Sequence, residues 1–303
     1  MFKYFGGIDE AALGPVLGPY CATALSFEIK NTEELFDVFR DFSILQIGDS
    51  KKIYTSGKSP APLEKTALSF FRQFHGSLPS NLSALLKELN VDKSHLHEIR
   101  EIPWFSNLQD YALPAFCSHE EIEQSASELT LFFKSRSLTP RSLISDVVPA
   151  QRFNRYLLSG KNKGETCQAI LSPLVHHIFD EKSRITVDRQ GGRRYYGEWL
   201  MELFPRTALA IRRETVDLSE YDVGDSTIRF QVKGDDKYLE TALASIFSKY
   251  IREMMMICFN DYWSEKIPGL KRTAGYPQDG KRFIQDLDKA GVSYEKETLI
   301  RMK

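Results

Sequence analysis

Cysteine is scarce in this chain, with four in 303 residues at Cys21, Cys117, Cys167 and Cys258, and no two of them form a Cys-x-x-Cys pair. That scatter argues against a thiolate zinc site and a disulfide framework, and fits a reducing compartment. An excess of one charge sign is missing too. Lys and Arg number 40 against 41 Asp and Glu, for a formal net charge of -1. No global field therefore attracts a polyanion, and any such partner must be held by local patches. No run approaches the ~20 apolar residues that a bilayer span needs. The first residues run straight into acids and do not read as a signal peptide. No internal repeat or low-complexity tract stands out. These absences predict a cytoplasmic globular monomer with no membrane partner. What is present is enough apolar material for a sizeable core: 42% hydrophobic residues, including 20 Phe and 13 Tyr.

The most informative stretch is residues 3–15, Lys-Tyr-Phe-Gly-Gly-Ile-Asp-Glu-Ala-Ala-Leu-Gly-Pro. Tyr4, Phe5 and Ile8 suit a short buried strand, and the two glycines allow close backbone approach. Asp9 and Glu10 follow at once, and a small-residue turn closes on Gly14 and Pro15. Paired carboxylates at the end of a buried strand carry a desolvation cost. A divalent cation would offset it, and so would a solvated loop just past the strand.

Farther along, residues 20–27 read as a second strand, antiparallel to the first across a tight turn. A helix is expected over 31–42, then a polar loop carrying Lys51 and Lys52. Residues 56–147 read as a mostly helical insertion, with helical spacing over 63–74, 82–89 and 118–135, the last capped by Ser118. His95, His97 and His119 lie there without metal-ligand spacing. After a helix over 164–179, a strand over 184–187 ends in Asp188. Residues 189–196 mix arginines with tyrosines, which suits either a grip on a nucleic-acid backbone or a helix start whose tyrosines pack the core. Strands are expected over 208–212 and 228–232. The longest helix, over 236–262, opens on Asp235 and Asp236, which could be capping residues. A glycine-proline turn surrounds Tyr276, and a last helix is expected over 279–290. The alternation of strands and helices predicts an α/β fold.

Acids thus stand at two strand ends and one helix start: Asp9 with Glu10, Asp188, and Asp235. In an α/β sheet such positions converge at one edge. Converging carboxylates repel one another and stay ionised together only with a cation. Oxygen donors of this kind suit Mg²⁺ or Mn²⁺ rather than zinc. Two such ions, roughly 3.5–4 Å apart, suit in-line phosphoryl displacement.

These motifs resemble type 2 ribonuclease H, the ribonuclease HII/HIII group. Gly7-Ile8-Asp9-Glu10-Ala11 with Gly14-Pro15 is similar to that family's opening motif, and Asp49-Ser50-Lys51-Lys52 to its Asp-Ser-Lys-Lys loop. Val187-Asp188, Lys233-Gly234-Asp235 with the 244–253 helix, and Gly275-Tyr276-Pro277 follow in the family's order. The resemblance covers roughly 1–55 and 150–290. It implies an RNase H-like mixed sheet flanked by helices, in one domain whose core is about 1–55 and 148–303. It implies endonucleolytic cleavage of RNA in RNA–DNA hybrids or ribonucleotide-containing duplex by two metals, with Asp9, Glu10, Asp188 and Asp235 as catalytic metal ligands. Lys51 and Lys52 would meet phosphates, and Tyr276 would stack on the sugar. Where the family has Gly-Arg-Gly, whose backbone contacts the 2′-hydroxyl, this chain has Ala12-Leu13-Gly14. That departure keeps two alternatives open: a non-catalytic nucleic-acid-binding paralogue, and a nuclease of this fold acting on DNA.

Overall fold

The computed structural model describes residues 2–30, 34–48, 53–54 and 59–302. Its centre is a seven-stranded mixed sheet built from β1 (Tyr4–Ala11), β2 (Tyr20–Ile29), β3 (Leu138–Val148), β4 (Ser183–Asp188), β5 (Leu209–Glu214), β6 (Leu218–Val223) and β7 (Ser226–Gln231). The spatial order is β3-β2-β1-β4-β7-β6-β5. Neighbours β1, β4 and β7 run parallel, and the other pairings are antiparallel.

β1 does not stop before its acids. Asp9 pairs with Thr23 and Glu10 with Ala22, so both lie within the strand rather than in a loop beyond it. Side chains alternate across a sheet. On one face Phe5 joins the larger core cluster and Gly7 meets the long helix Leu239–Lys266. On the other face Ile8 joins a second cluster with the helix Lys163–Ile178. Asp9 falls on the first face and Glu10 on the second. Gly7 is required by closeness: a Cβ there would lie 2.1 Å from the carbonyl carbon of Glu240.

The long helix begins at Leu239, not at residue 236. Tyr238 is extended (φ -132°, ψ 121°), and Gly234–Lys237 forms a separate helical turn whose cap, Lys233, has φ 55°. β3 was not expected from the sequence. It is the edge strand, and its pairing with β2 shifts register beside Pro140, which cannot donate to a ladder. The pattern there offers no clean alternation.

The helices Ala61–His75, Leu82–Leu89 and His119–Arg136 lie where expected, and Ser118 forms a full capping box with Glu121. Their apolar faces join one cluster with the long helix. Glu64, fully buried, fastens the first of these helices to the 115–117 turn and to the long helix. Its carboxylate accepts the amides of Ala115 (2.7 Å), Phe116 (2.6 Å) and Cys117 (2.8 Å) and the Tyr250 hydroxyl (2.9 Å). His95 hydrogen-bonds Asp146 of β3 at 3.0 Å, a structural contact. Asn31 and residues 56–58 of the expected insertion lie outside the described residues.

Candidate active site

Three parallel neighbours must end on the same side of the sheet, and in open α/β sheets ligands bind beyond those carboxyl ends. β1 ends with Asp9 and Glu10, and β4 ends with Asp188. After β7 the left-handed Lys233 turns the chain back so that Asp235 heads the next helical turn. The four acids line one cleft of about 330 Å³. Ala12, Leu13 and Gly14, Ser245 and Lys249, and Tyr276 line the same cleft. Lys51 and Lys52 lie outside the described residues.

Asp9 is buried, 6% exposed. Burial drives its carboxyl well above the usual carboxylate range, and the charges of Asp188, Glu10 and Asp235 push it the same way. A hydrogen bond with Ser245 opposes that shift. The Ser248 hydroxyl donates to the Asp9 carbonyl at 3.0 Å, tying the long helix to β1 at this residue.

Three of the acids are held by the protein's own groups. Asp9 Oδ1 accepts the Glu10 amide at 2.7 Å, and Asp188 Oδ1 accepts the Gly234 amide at 2.7 Å. Gln190 donates to Glu10 Oε2 at 2.9 Å and to the Tyr20 hydroxyl at 2.8 Å. Among the described residues no three acidic, imidazole or thiol side chains are set as a group that could hold a metal ion. The donor chemistry nonetheless fits a hard divalent cation: four carboxylates face one cleft, and the most buried of them is destabilised as an anion by the other three.

The opposite wall carries the turn after β1. Ala12 adopts φ 73°, a conformation that favours glycine, so the backbone keeps a glycine-like shape although the residue is alanine. Gly275 (φ 80°) brings the loop of Tyr276 against this turn. Its carbonyl accepts the amides of Val16 (2.8 Å) and Leu17 (3.2 Å), and a Cβ on it would lie 2.4 Å from the Leu17 oxygen. Tyr276 is 54% exposed at the rim. Lys249 donates to the Tyr54 carbonyl at 3.1 Å.

The 189–196 stretch divides. Arg189 is buried and donates to Ser219 Oγ at 2.6 Å, and Tyr196 stacks on Phe230 with ring centroids 3.6 Å apart. The core-packing reading holds for Tyr196 and not for Tyr195, which is exposed, and Arg189 is engaged inside the fold. Gln190 and Ser248 were missed from the sequence. Their partners, Glu10 and Asp9, are 180 and 239 residues away, and no local signal marks them.

Comparison with solved structures follows this geometry. The chain superposes on ribonuclease HII of Archaeoglobus fulgidus, solved as its PCNA complex, with a TM-score of 0.50 and 15% identity over 98% of this chain and 92% of that one. The fold is that of type 2 ribonuclease H. Ribonuclease H2 of Pyrococcus horikoshii OT3 also matches, at 14% identity and a TM-score of 0.49, over 98% of this chain and 92% of that one. No protein-family model matches the chain, and no curated protein matches it. Among the described residues no helix is long and apolar enough to cross a membrane.

Proposed function

We propose that this chain is a divalent-metal-dependent endonuclease that hydrolyses RNA phosphodiester bonds in RNA–DNA hybrids or ribonucleotide-containing duplex. The observation that carries the reading is the meeting of Asp9, Glu10, Asp188 and Asp235 in one cleft at the ends of three parallel strands. These four would hold Mg²⁺ or Mn²⁺, two ions in the full site. Bound there, the cations would supply the Lewis acidity that phosphodiester hydrolysis requires.

The chain's own residues do the rest. Ser245 and Ser248 fix Asp9, and Gln190 fixes Glu10, so the carboxylates face the scissile phosphate in a set orientation. Tyr276, half exposed on a loop locked by Gly275, stacks on the sugar at the cleavage position. The Ala12–Gly14 backbone faces the same sugar, where a 2′-hydroxyl separates RNA from DNA. Lys51 and Lys52 meet phosphates as point charges.

The test is cleavage of three labelled duplexes by the purified protein with Mg²⁺ or Mn²⁺: an RNA–DNA hybrid, a DNA duplex with one embedded ribonucleotide, and all-DNA. Metal-dependent cleavage of the first two, abolished by chelator and by Asp188→Asn, is expected. Cleavage of the DNA duplex alone would replace the substrate class. One observation favours a second reading: Leu13 stands where the related motif has arginine, removing a cation from the cleft wall. Salt-dependent binding of all three duplexes without turnover would establish that reading, a non-catalytic nucleic-acid binder.

A further inference from the structure

Arg301 lies almost at the end of the chain and is 2% exposed, yet its guanidinium reaches the turn that follows β1. It donates to the carbonyls of Ala12 and Pro15, the latter also through Nε at 3.0 Å. Its backbone is fixed independently: the Arg301 amide donates to the Val16 carbonyl at 2.8 Å, and Ile300 bridges Leu17. Asn154 clamps both sides, donating to the Ile300 carbonyl (2.8 Å) and accepting the Met302 amide (2.8 Å). The Phe153 ring lies 5.0 Å from the guanidinium. Burial lowers the guanidinium to about 10, so it stays charged at neutral pH.

We infer that Arg301 is a positioning residue for the cleft: it orients the Ala12–Leu13 and Pro15–Val16 peptides so that the Leu13 amide faces substrate and the Tyr276 loop is locked beside it. The inference rests on the nuclease reading for its activity readout. The geometry runs through peptide planarity. In a trans peptide the N–H points opposite to the preceding C=O. Both carbonyls point at Arg301, so the following amides point away from it. The second peptide shows this directly, because the Val16 amide donates to the carbonyl of Gly275, next to Tyr276. By the same rule the Leu13 amide points away from the buried guanidinium, on the side where Leu13 and Gly14 line the cleft. Ala12 sits at φ 73°, which an L residue keeps only when its surroundings hold it there, and Arg301 supplies that hold. The turn itself, Ala12-Leu13-Gly14, carries no cation, and Arg301 holds it from behind.

The experiment compares wild type with Arg301→Met, Arg301→Lys and Arg301→Ala. The first readout is independent of activity: amide hydrogen exchange at Val16. Loss of protection there, with the amides in the middle of β1 unchanged, is expected in the Met and Ala variants. The second readout is single-turnover cleavage of the embedded-ribonucleotide duplex. A shift of the order of 1 Å in the cleft wall lowers kcat about 100-fold. KM should stay within about threefold, because the phosphate contacts that position the duplex lie elsewhere. Lysine restores part of the rate, since its single, shorter-reaching nitrogen cannot replace both the Nη2 contacts and the Nε contact to Pro15, and methylguanidinium added to Arg301→Ala restores more. If Arg301→Met fails to fold, Arg301→Lys decides. A folded Lys variant with wild-type kcat and wild-type Val16 protection overturns the inference. Wild-type protein that cleaves no duplex overturns the nuclease reading instead, and the Val16 exchange still judges Arg301.

Discussion

Gly7 stands where the long helix crosses β1, and replacing it with alanine tests how tightly that crossing is built. A Cβ on Gly7 would lie 2.1 Å from Glu240 C, 2.2 Å from Glu240 O and 2.5 Å from Thr241 N. Non-bonded atoms rest at about 3.5–4.0 Å, so the helix backbone must retreat by more than about 1 Å. Overpacking costs about 1–3 kcal/mol, and a backbone cannot rotate aside as a side chain does. Gly7→Ala therefore belongs at the upper end, about 3 kcal/mol. The neighbouring glycine is the control. A Cβ on Gly6 would meet Ile178 Cδ1 at 2.8 Å and Ile185 Cγ1 at 3.3 Å, both atoms of side chains that can shift. Gly6→Ala should cost about 1 kcal/mol. Urea unfolding measures both, and melting temperatures should differ by roughly 4 °C for a chain of this size. The same retreat carries Ser245 and Ser248 away from Asp9, so Gly7→Ala should lose cleavage even where it remains folded. Equal unfolding midpoints for the two variants, within about 0.5 kcal/mol, would refute the reasoning.

Asp9→Asn should abolish cleavage and raise the urea midpoint at pH 7 in chelator, because it removes an anion disfavoured by burial and by three neighbouring acids. The raised carboxyl means the folded form holds this proton more tightly than the unfolded chain. The penalty is absent below the ordinary carboxylate pKa of about 3.9 and grows as pH rises toward the elevated folded value. Wild type should therefore gain on Asp9→Asn during acidification through that window, as paired denaturation curves would report; a constant gap would contradict it. Glu64→Gln places an NH₂ group against amide donors, and should cost about 3 kcal/mol by the same measurement. Ala12→Gly relieves the positive φ and should stabilise by up to about 1 kcal/mol, and a lower melting temperature would count against strain at that position.

The acids were legible because each ends a recognisable local pattern. Asp9 and Asp188 close apolar runs, and Asp235 follows a Lys-Gly pair that turns the chain. Their joining in one cleft follows from the parallel order of β1, β4 and β7, which the sequence implied only through the ordered resemblance. β6 gave no apolar signal because Ser219, Glu220 and Asp222 make up half of its six residues, although Ser219, Glu220 and Tyr221 are buried in succession. β3 was hidden by Pro140 and Arg141 at its register shift. The start of the long helix was misplaced because Tyr238 breaks the helical turn, and a tyrosine carries no breaker signature. Arg301 and Gln190 act across more than 150 residues, so local composition could not reveal them.

Glu64 has a consequence for how this chain can change over evolutionary time. The four donors it gathers come from the 115–117 turn and from Tyr250, on the same helix that carries Ser245 and Ser248. The helices between β2 and β3 are therefore not a cassette. Excising them would strip the lining from one side of the helix that steadies the cleft, and leave Tyr250 facing solvent. A shorter descendant would first have to re-cover that flank, so a change at the inner seam has to be matched on the helix that carries Ser245 and Ser248.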